Sequence, residues 1–158
     1  MPSEITIYTD GASSGNPGPG GYGVVLIYGK HRLEKSAGYR LTTNNRMELL
    51  AVIKGLETLK INGSSVVVYT DSKYVADSVE KGWVFQWESK AFKKKKNPDL
   101  WIRFLKIYRK HKVRFVWIKG HANNPENEKC DQLAVEASKG FLLEDTGYYL
   151  EDESDKLI

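Results

Sequence analysis

Asp10, Glu48, Asp71 and Asp131 are the residues of this chain whose type and setting could do metal chemistry. They lie far apart in sequence, so only the fold can gather them. Gathered, they would offer carboxylate oxygens alone. Magnesium is a hard cation that prefers oxygen ligands and keeps several waters, so such a group suits metal-assisted chemistry on a phosphate ester. Two cations about 4 Å apart can activate water on one side of the phosphorus and stabilise the leaving oxygen on the other. Without cations the carboxylates repel, and some must take up protons or splay apart. Each acid also has an ordinary alternative: a turn aspartate, a complement to a helix dipole, a helix cap or a solvated charge.

The elements around these acids bring them towards one point. Asp10 closes the apolar run at residues 5–9 and is followed by Gly11, so it stands at the carboxyl end of a predicted strand. Asp71 repeats the pattern after residues 66–70, and Ser72 then opens a helical stretch carrying Tyr74, Val75 and Val79. If the two strands are neighbours, both carboxylates face the crevice where α/β sheets bind ligands. Leu49, Val52, Ile53, Leu56 and Leu59 recur at helical spacing and put Glu48 in the first turn of a helix. Asn127 is the expected cap of a last helix, whose buried stripe is Cys130, Leu133, Ala134 and Ala137, with Asp131 beside it. The full order is three strands near 5–10, 22–28 and 32–41, a helix, the strand ending at Asp71, short helices, a helix over 99–110, a strand over 113–118 and the Asp131 helix. That order predicts an α/β class with a mixed sheet covered by helices on both faces.

The chain reads Tyr8-Thr9-Asp10-Gly11-Ala12, Thr42-Thr43-Asn44-Asn45-Arg46-Met47-Glu48-Leu49, Tyr69-Thr70-Asp71-Ser72, Lys119-Gly120-His121, and a final Asn127-to-Ala134 segment containing Cys130 and Asp131. In this order and spacing the five motifs resemble the bacterial type I ribonuclease H family, from about Ile5 to about Ala137. The resemblance implies a five-stranded sheet of order 3-2-1-4-5. It also implies an endonuclease that hydrolyses the RNA strand of RNA/DNA hybrids by two-metal-ion catalysis, leaving 5'-phosphate and 3'-hydroxyl ends. The implied cofactor is Mg2+, two ions per active site in the substrate complex, with Mn2+ as a substitute. By position Asp10, Glu48, Asp71 and Asp131 are the implied ligands, with Asp10 bridging, and His121 is the implied general acid/base. A near-neutral histidine suits that proton transfer. Where many relatives carry glycine two residues later, this chain has Asn123, which tolerates left-handed backbone.

The same resemblance assigns substrate contacts. Asn16, Asn44 and Asn45, with the backbone of Gly11, are implied minor-groove contacts, since a 2'-hydroxyl distinguishes RNA from DNA; Asn44 is equally a candidate helix cap. Thr43 and Asn97 are an implied pocket for a DNA-strand phosphate. Trp83, in an aromatic stretch that runs into Lys93 to Lys96, is assigned to a DNA sugar, and Trp87 is expected to be at least partly structural. The lysine run is a shorter basic protrusion than that of the family's long-handled members. Lys73 stands where many relatives have glutamine, and Leu41 where some have arginine, with Arg40 beside it; a one-residue shift along a strand turns a side chain to the opposite face.

At 158 residues and 41% hydrophobic content, one domain with a proper core is expected, spanning residues 1–140, with an acidic tail over 141–158. Residues 1–139 carry a net charge of +9 and the remainder −5. The body therefore suits nucleic acid, whereas the tail suits solvent, a fold-back or an unknown protein partner. Charge alone predicts mild self-inhibition, so that removing residues after Phe141 tightens hybrid binding at low salt. The single Cys130 excludes an internal disulfide and is expected to be packing rather than a nucleophile. No apolar run reaches membrane length and no secretory leader is visible, so a reducing cytoplasmic compartment without membrane contact is expected; a monomer is expected as well. Two rival functions remain: a hybrid-binding module, which would not need all four acids and His121, and an integrase-like or junction-resolving metal nuclease, which would not need the three asparagines.

Overall fold

The computed structural model describes residues 4–120 and 123–150. Three strands, β1 (Ile5–Ser13), β2 (Gly18–Tyr28) and β3 (His31–Thr42), form an antiparallel meander. Helix α1 (Asn44–Glu57) then leads to β4 (Ser65–Thr70), which lies parallel to β1, and two short helices follow, α2 (Lys73–Glu80) and α3 (Trp83–Ser89). Next come α4 (Pro98–Tyr108), β5 (Lys112–Trp117) parallel to β4, α5 (Pro125–Ser138) and β6 (Leu142–Leu143). The sheet order is β5-β4-β1-β2-β3-β6. Read from β3 to β5 this is the expected 3-2-1-4-5, but the sheet has six strands rather than five. The sixth forms because the chain turns back after α5 and pairs Leu142 with Gly38 and Leu143 with Tyr39 in parallel register.

The two faces of the sheet are filled differently. On one, Ile7 and Val24 meet α1, whose Leu49, Val52, Ile53 and Leu56 are fully buried, with Trp101 and Phe104 of α4 behind them. Trp101 is packed edge-on by Trp87 at 5.8 Å and by Phe104 at 5.5 Å, so Trp87 is structural. On the other face α5 lies against glycines. A Cβ at Gly21, Gly23 or Gly38 would fall 2.4, 2.2 or 2.0 Å from the carbonyl oxygens of Ala134, Cys130 and Ala137. Only bare backbone lets the helix sit this close, and that close seat carries Asp131 to the sheet. Cys130 is buried there, donating to the Tyr8 carbonyl at 3.2 Å, and burial pushes its thiol pKa up.

Local signals explain the element ends. Thr43 caps α1, its hydroxyl accepting from the Arg46 amide at 3.2 Å, so Asn44 is the first helical residue and not the cap. Glu48 consequently opens the second turn rather than sitting in the first. The cap of α5 is Asn124, whose side chain accepts from Asn127 N at 3.1 Å, not Asn127 as the sequence suggested. Pro125, with no amide to satisfy, fills the first helical position. Asn123 holds the left-handed backbone expected of it, at φ 53°. No described helix is long and apolar enough to cross a membrane.

Candidate active site

The parallel pairing of β1 and β4 runs to Tyr8 opposite Tyr69, whose rings stack at 4.8 Å. Strand β1 continues to Ser13 against β2 rather than ending at Asp10, so Asp10 stands just past the β4 pairing, beside the carboxyl end of β4. Asp10 on β1 and Asp71 just past β4 thereby meet, and α1 lowers Glu48 between them. One carboxylate oxygen from each of the three lies within 4.8 Å of the others. Asp131, from α5 on the opposite face, lines the same open cavity of about 470 Å3 without joining that tight group. Gly11, Asn44, Asn45 and Lys73 line it as well.

Asp10 and Glu48 are both buried, and both titrate abnormally. Burial is the largest influence on Asp10, reinforced by the charges of Asp71 and Asp131, and its pKa is pushed up to about 7 despite a 2.9 Å hydrogen bond from Gly11 N. Glu48 is raised well above the usual carboxylate range, by burial first and then by the charges of Asp10 and Asp71. Gly11 N also donates to Glu48 Oε1, so one amide ties the strand acid to the helix acid. Crowded, desolvated carboxylates that resist ionising together are what a divalent cation would relieve. The donor set is all oxygen, which fits Mg2+.

Gly11 is the close approach that permits this geometry. A Cβ there would lie 2.3 Å from Glu48 N and 2.4 Å from Met47 C, both backbone atoms that cannot swing aside. Gly11→Ala is therefore expected to force α1 off β1, costing about 1–3 kcal/mol by overpacking and weakening divalent-cation binding. Urea denaturation and calorimetric titration with Mg2+ would measure the two effects.

The remaining predicted contacts spread outward from the cavity. Asn16 Oδ1 accepts from Asn44 N at 3.1 Å, so this asparagine braces the start of α1. Thr43 caps α1 beside it, and Asn97 begins α4 in left-handed conformation at φ 61°. Trp83 is 39% exposed, with the Lys81 ammonium 5.3 Å from its ring, and is not among the residues lining the acidic cavity. Lys73 lies over the Trp117 ring at 4.8 Å, and Trp117 Nε1 donates to the Asp71 carbonyl at 3.0 Å. His121, the expected proton carrier, lies outside the described residues.

Sequence reasoning missed two groups. Trp117 ends an ordinary strand pattern, and nothing marked it as the prop behind Asp71. Arg46 carried no signal either, standing inside a motif dominated by its neighbours. It is 1% exposed and bonded to Asp99, Asp145 and Asn97. Asp145 belongs to the acidic run past residue 140, which offered no hint of a partner.

Comparison with known proteins gives a consistent answer. The RNase H family model matches residues 2–139. The ribonuclease H of Desulforamulus reducens is 61% identical over 141 residues, covering 86% of this chain and 88% of the relative. That of Syntrophus aciditrophicus is 56% identical over 151 residues, covering 92% and 87%. Among solved structures, LC9-RNase H1, a type 1 RNase H with the type 2 active-site motif, matches with a TM-score of 0.79 and 32% identity, covering 89% of this chain and 74% of that one. LC11-RNase H1 in complex with an RNA/DNA hybrid matches with a TM-score of 0.64 and 31% identity, covering 86% and 97%.

Proposed function

Because the chain belongs to the RNase H family, we propose that it is an endonuclease hydrolysing the RNA strand of RNA/DNA hybrids and leaving 5'-phosphate and 3'-hydroxyl ends. The observation that carries this reading is the convergence of Asp10, Glu48 and Asp71 in a cavity also lined by Asp131, Asn44 and Asn45. Bound among the four carboxylates, two Mg2+ ions, with Mn2+ as a substitute, would supply Lewis-acid stabilisation of the phosphate and activation of water. Asp10 and Glu48 hold their side of the site through the shared Gly11 amide, which keeps two repelling groups in register. Asn44 and Asn45, one turn ahead of Glu48 on α1, with Asn16 and Gly11, contact the minor groove, where amides and backbone can meet a 2'-hydroxyl.

Thr43 and Asn97 take a phosphate of the DNA strand, at the amino ends of α1 and α4 where the helix dipoles favour an anion. Trp83 lies against a DNA sugar, Lys73 meets the RNA backbone, and His121 carries the proton of the leaving group. Residues 1–140 carry every group just named, and the chain after them, acidic in composition over 141–158, begins as a strap that pairs with β3 and sets Asp145 against Arg46. The enzyme acts as a cytoplasmic monomer.

The test is cleavage of matched RNA/DNA, RNA/RNA and DNA/DNA duplexes of one sequence in Mg2+. Only the RNA strand of the hybrid should be cut. Equal cutting of all three would support the integrase-like or junction-resolving alternative, and tight hybrid binding without cutting would support the binding module.

A further inference from the structure

Between the amino ends of α1 and α4 lies a buried ion cluster that no catalytic step above uses. Its centre is the Arg46 guanidinium. On one side it makes a paired contact to Asp99 of α4, Nη1 to Oδ1 at 2.9 Å and Nη2 to Oδ2 at 2.7 Å. On the other it makes a second paired contact to Asp145, Nε to Oδ2 at 2.7 Å and Nη2 to Oδ1 at 2.9 Å. Asp145 is 8% exposed and also accepts from the Thr42 hydroxyl at 2.6 Å.

The cluster touches both halves of the proposed phosphate pocket. Arg46 follows Thr43 by three residues, and its own amide is what the Thr43 hydroxyl caps. Its Nη1 approaches Asn97 Oδ1 at 3.4 Å, while Asn97 Nδ2 donates to the Tyr74 hydroxyl at 3.1 Å. The guanidinium therefore sets the spacing between Thr43 and Asn97, and Asp145 fixes the fork from behind. The segment bearing Asp145 is built for that position. A Cβ at Gly147 would fall 1.9 Å from Asp99 Oδ2 and 2.6 Å from Arg46 Nη2, so glycine lets the backbone cross the cluster without moving that ion pair. Arg40 secures the same segment through Glu144 at 2.9 Å, and β6 anchors its start.

We propose that Asp145, carried by the strap that begins at β6, is a positioning residue for the DNA-strand phosphate pocket at Thr43 and Asn97. It acts by holding Arg46 in a fixed two-sided fork, and it rests on the pocket reading above. A fork engaged on both edges has one orientation, whereas an arginine that has lost its Asp145 edge can pivot about the half-exposed Asp99 and carry Asn97 with it. The sign is opposite to that expected from charge. Removing a carboxylate near a phosphate site should tighten binding if electrostatics governed, but loosen it if Asp145 positions the pocket.

The experiment measures kcat and KM on an RNA/DNA hybrid for wild type, Asp145→Asn and Gly147→Ala in the full chain, well below each melting midpoint. Gly147→Ala keeps every charge and crowds the Arg46–Asp99 pair from the strap side, so it disturbs the fork without removing a carboxylate. Both variants should raise KM about tenfold with kcat within about twofold. The measurements are repeated on hybrids bearing one neutral methylphosphonate at successive DNA positions. At one position wild-type KM should rise, and there Asp145→Asn should add nothing further, since coupled sites are not additive. A KM lowered by Asp145→Asn, or a penalty that persists in full at that position, overturns the role of Asp145 while leaving the pocket standing. If no methylphosphonate alters wild-type KM, the pocket reading falls and the positioning role falls with it.

Discussion

Asp10→Asn should abolish hybrid cleavage, a fall of at least about a thousandfold, and at the same time make the metal-free protein more stable. The first effect follows from the proposed metal chemistry, which loses the central carboxylate of the Asp10, Glu48 and Asp71 group. The second follows from titration. In the folded state burial and the neighbouring acids push Asp10 up to about 7 from its ordinary value of 3.8. The folded protein thus keeps a proton that the unfolded chain releases, so stability falls as pH rises through that window and stays lowered above it. Asparagine carries no such cost. Its advantage should be on the order of a few kcal/mol above neutral pH, or roughly 5–10 °C in Tm, and should shrink towards zero as pH is lowered to about 4. Glu48 is displaced in the same direction, so Glu48→Gln should behave alike. Added Mg2+ should narrow the gap by stabilising wild type alone. Thermal melts at several pH values, with and without Mg2+, measure all of this. Equal melting of wild type and Asp10→Asn at pH 8 without metal would dispose of the like-charge account.

The elements that carry these acids were readable because their signals are local. Residues 5–9 and 66–70 are short apolar runs, each followed by an aspartate, which marks the acid beyond each run. Strand β4 does end at Thr70, but β1 runs on to Ser13 because its pairing with β2 continues past Asp10, so the Asp10-Gly11 turn signal misplaced that strand's end. Helical spacing after Glu48 similarly revealed α1. What escaped was contact between distant segments. The Arg46 to Asp145 pairing spans 99 residues, and no periodicity links an arginine inside a helix motif to an acid in a charged tail. The sixth strand is two residues long, too short for alternation to show. Nothing local marks the glycines at 21, 23 and 38, yet each is a seat for the backbone of α5. The misassigned cap is a different failure, since Pro125 directly after Asn124 was a legible start signal that the buried stripe farther along outweighed.

Arg46→Ala should be among the most damaging single substitutions in the chain, costing about 3–5 kcal/mol in urea denaturation, because it strands a buried carboxylate rather than merely deleting a contact. Domains of this kind have only about 5–15 kcal/mol in total, so the variant should be marginal at physiological temperature. Arg46→Lys should rescue little: one ammonium cannot present two parallel pairs of donors to Asp99 and Asp145. Removing the stranded acid as well should recover part of the loss, so Arg46→Ala with Asp145→Ala should cost clearly less than the two single effects combined. The pH dependence follows from Asp99. Burial opposes its ionisation, yet the Arg46 hydrogen bonds and charge hold its pKa below the ordinary carboxylate value. Stability from that contact is present above the unfolded value and is lost as pH falls through the lower folded one. The deficit of Arg46→Ala should accordingly be full at neutral pH and shrink in acid, the opposite trend to Asp10→Asn only in its cause. Both differences from wild type close at low pH, one because a repulsion is neutralised and the other because an attraction is.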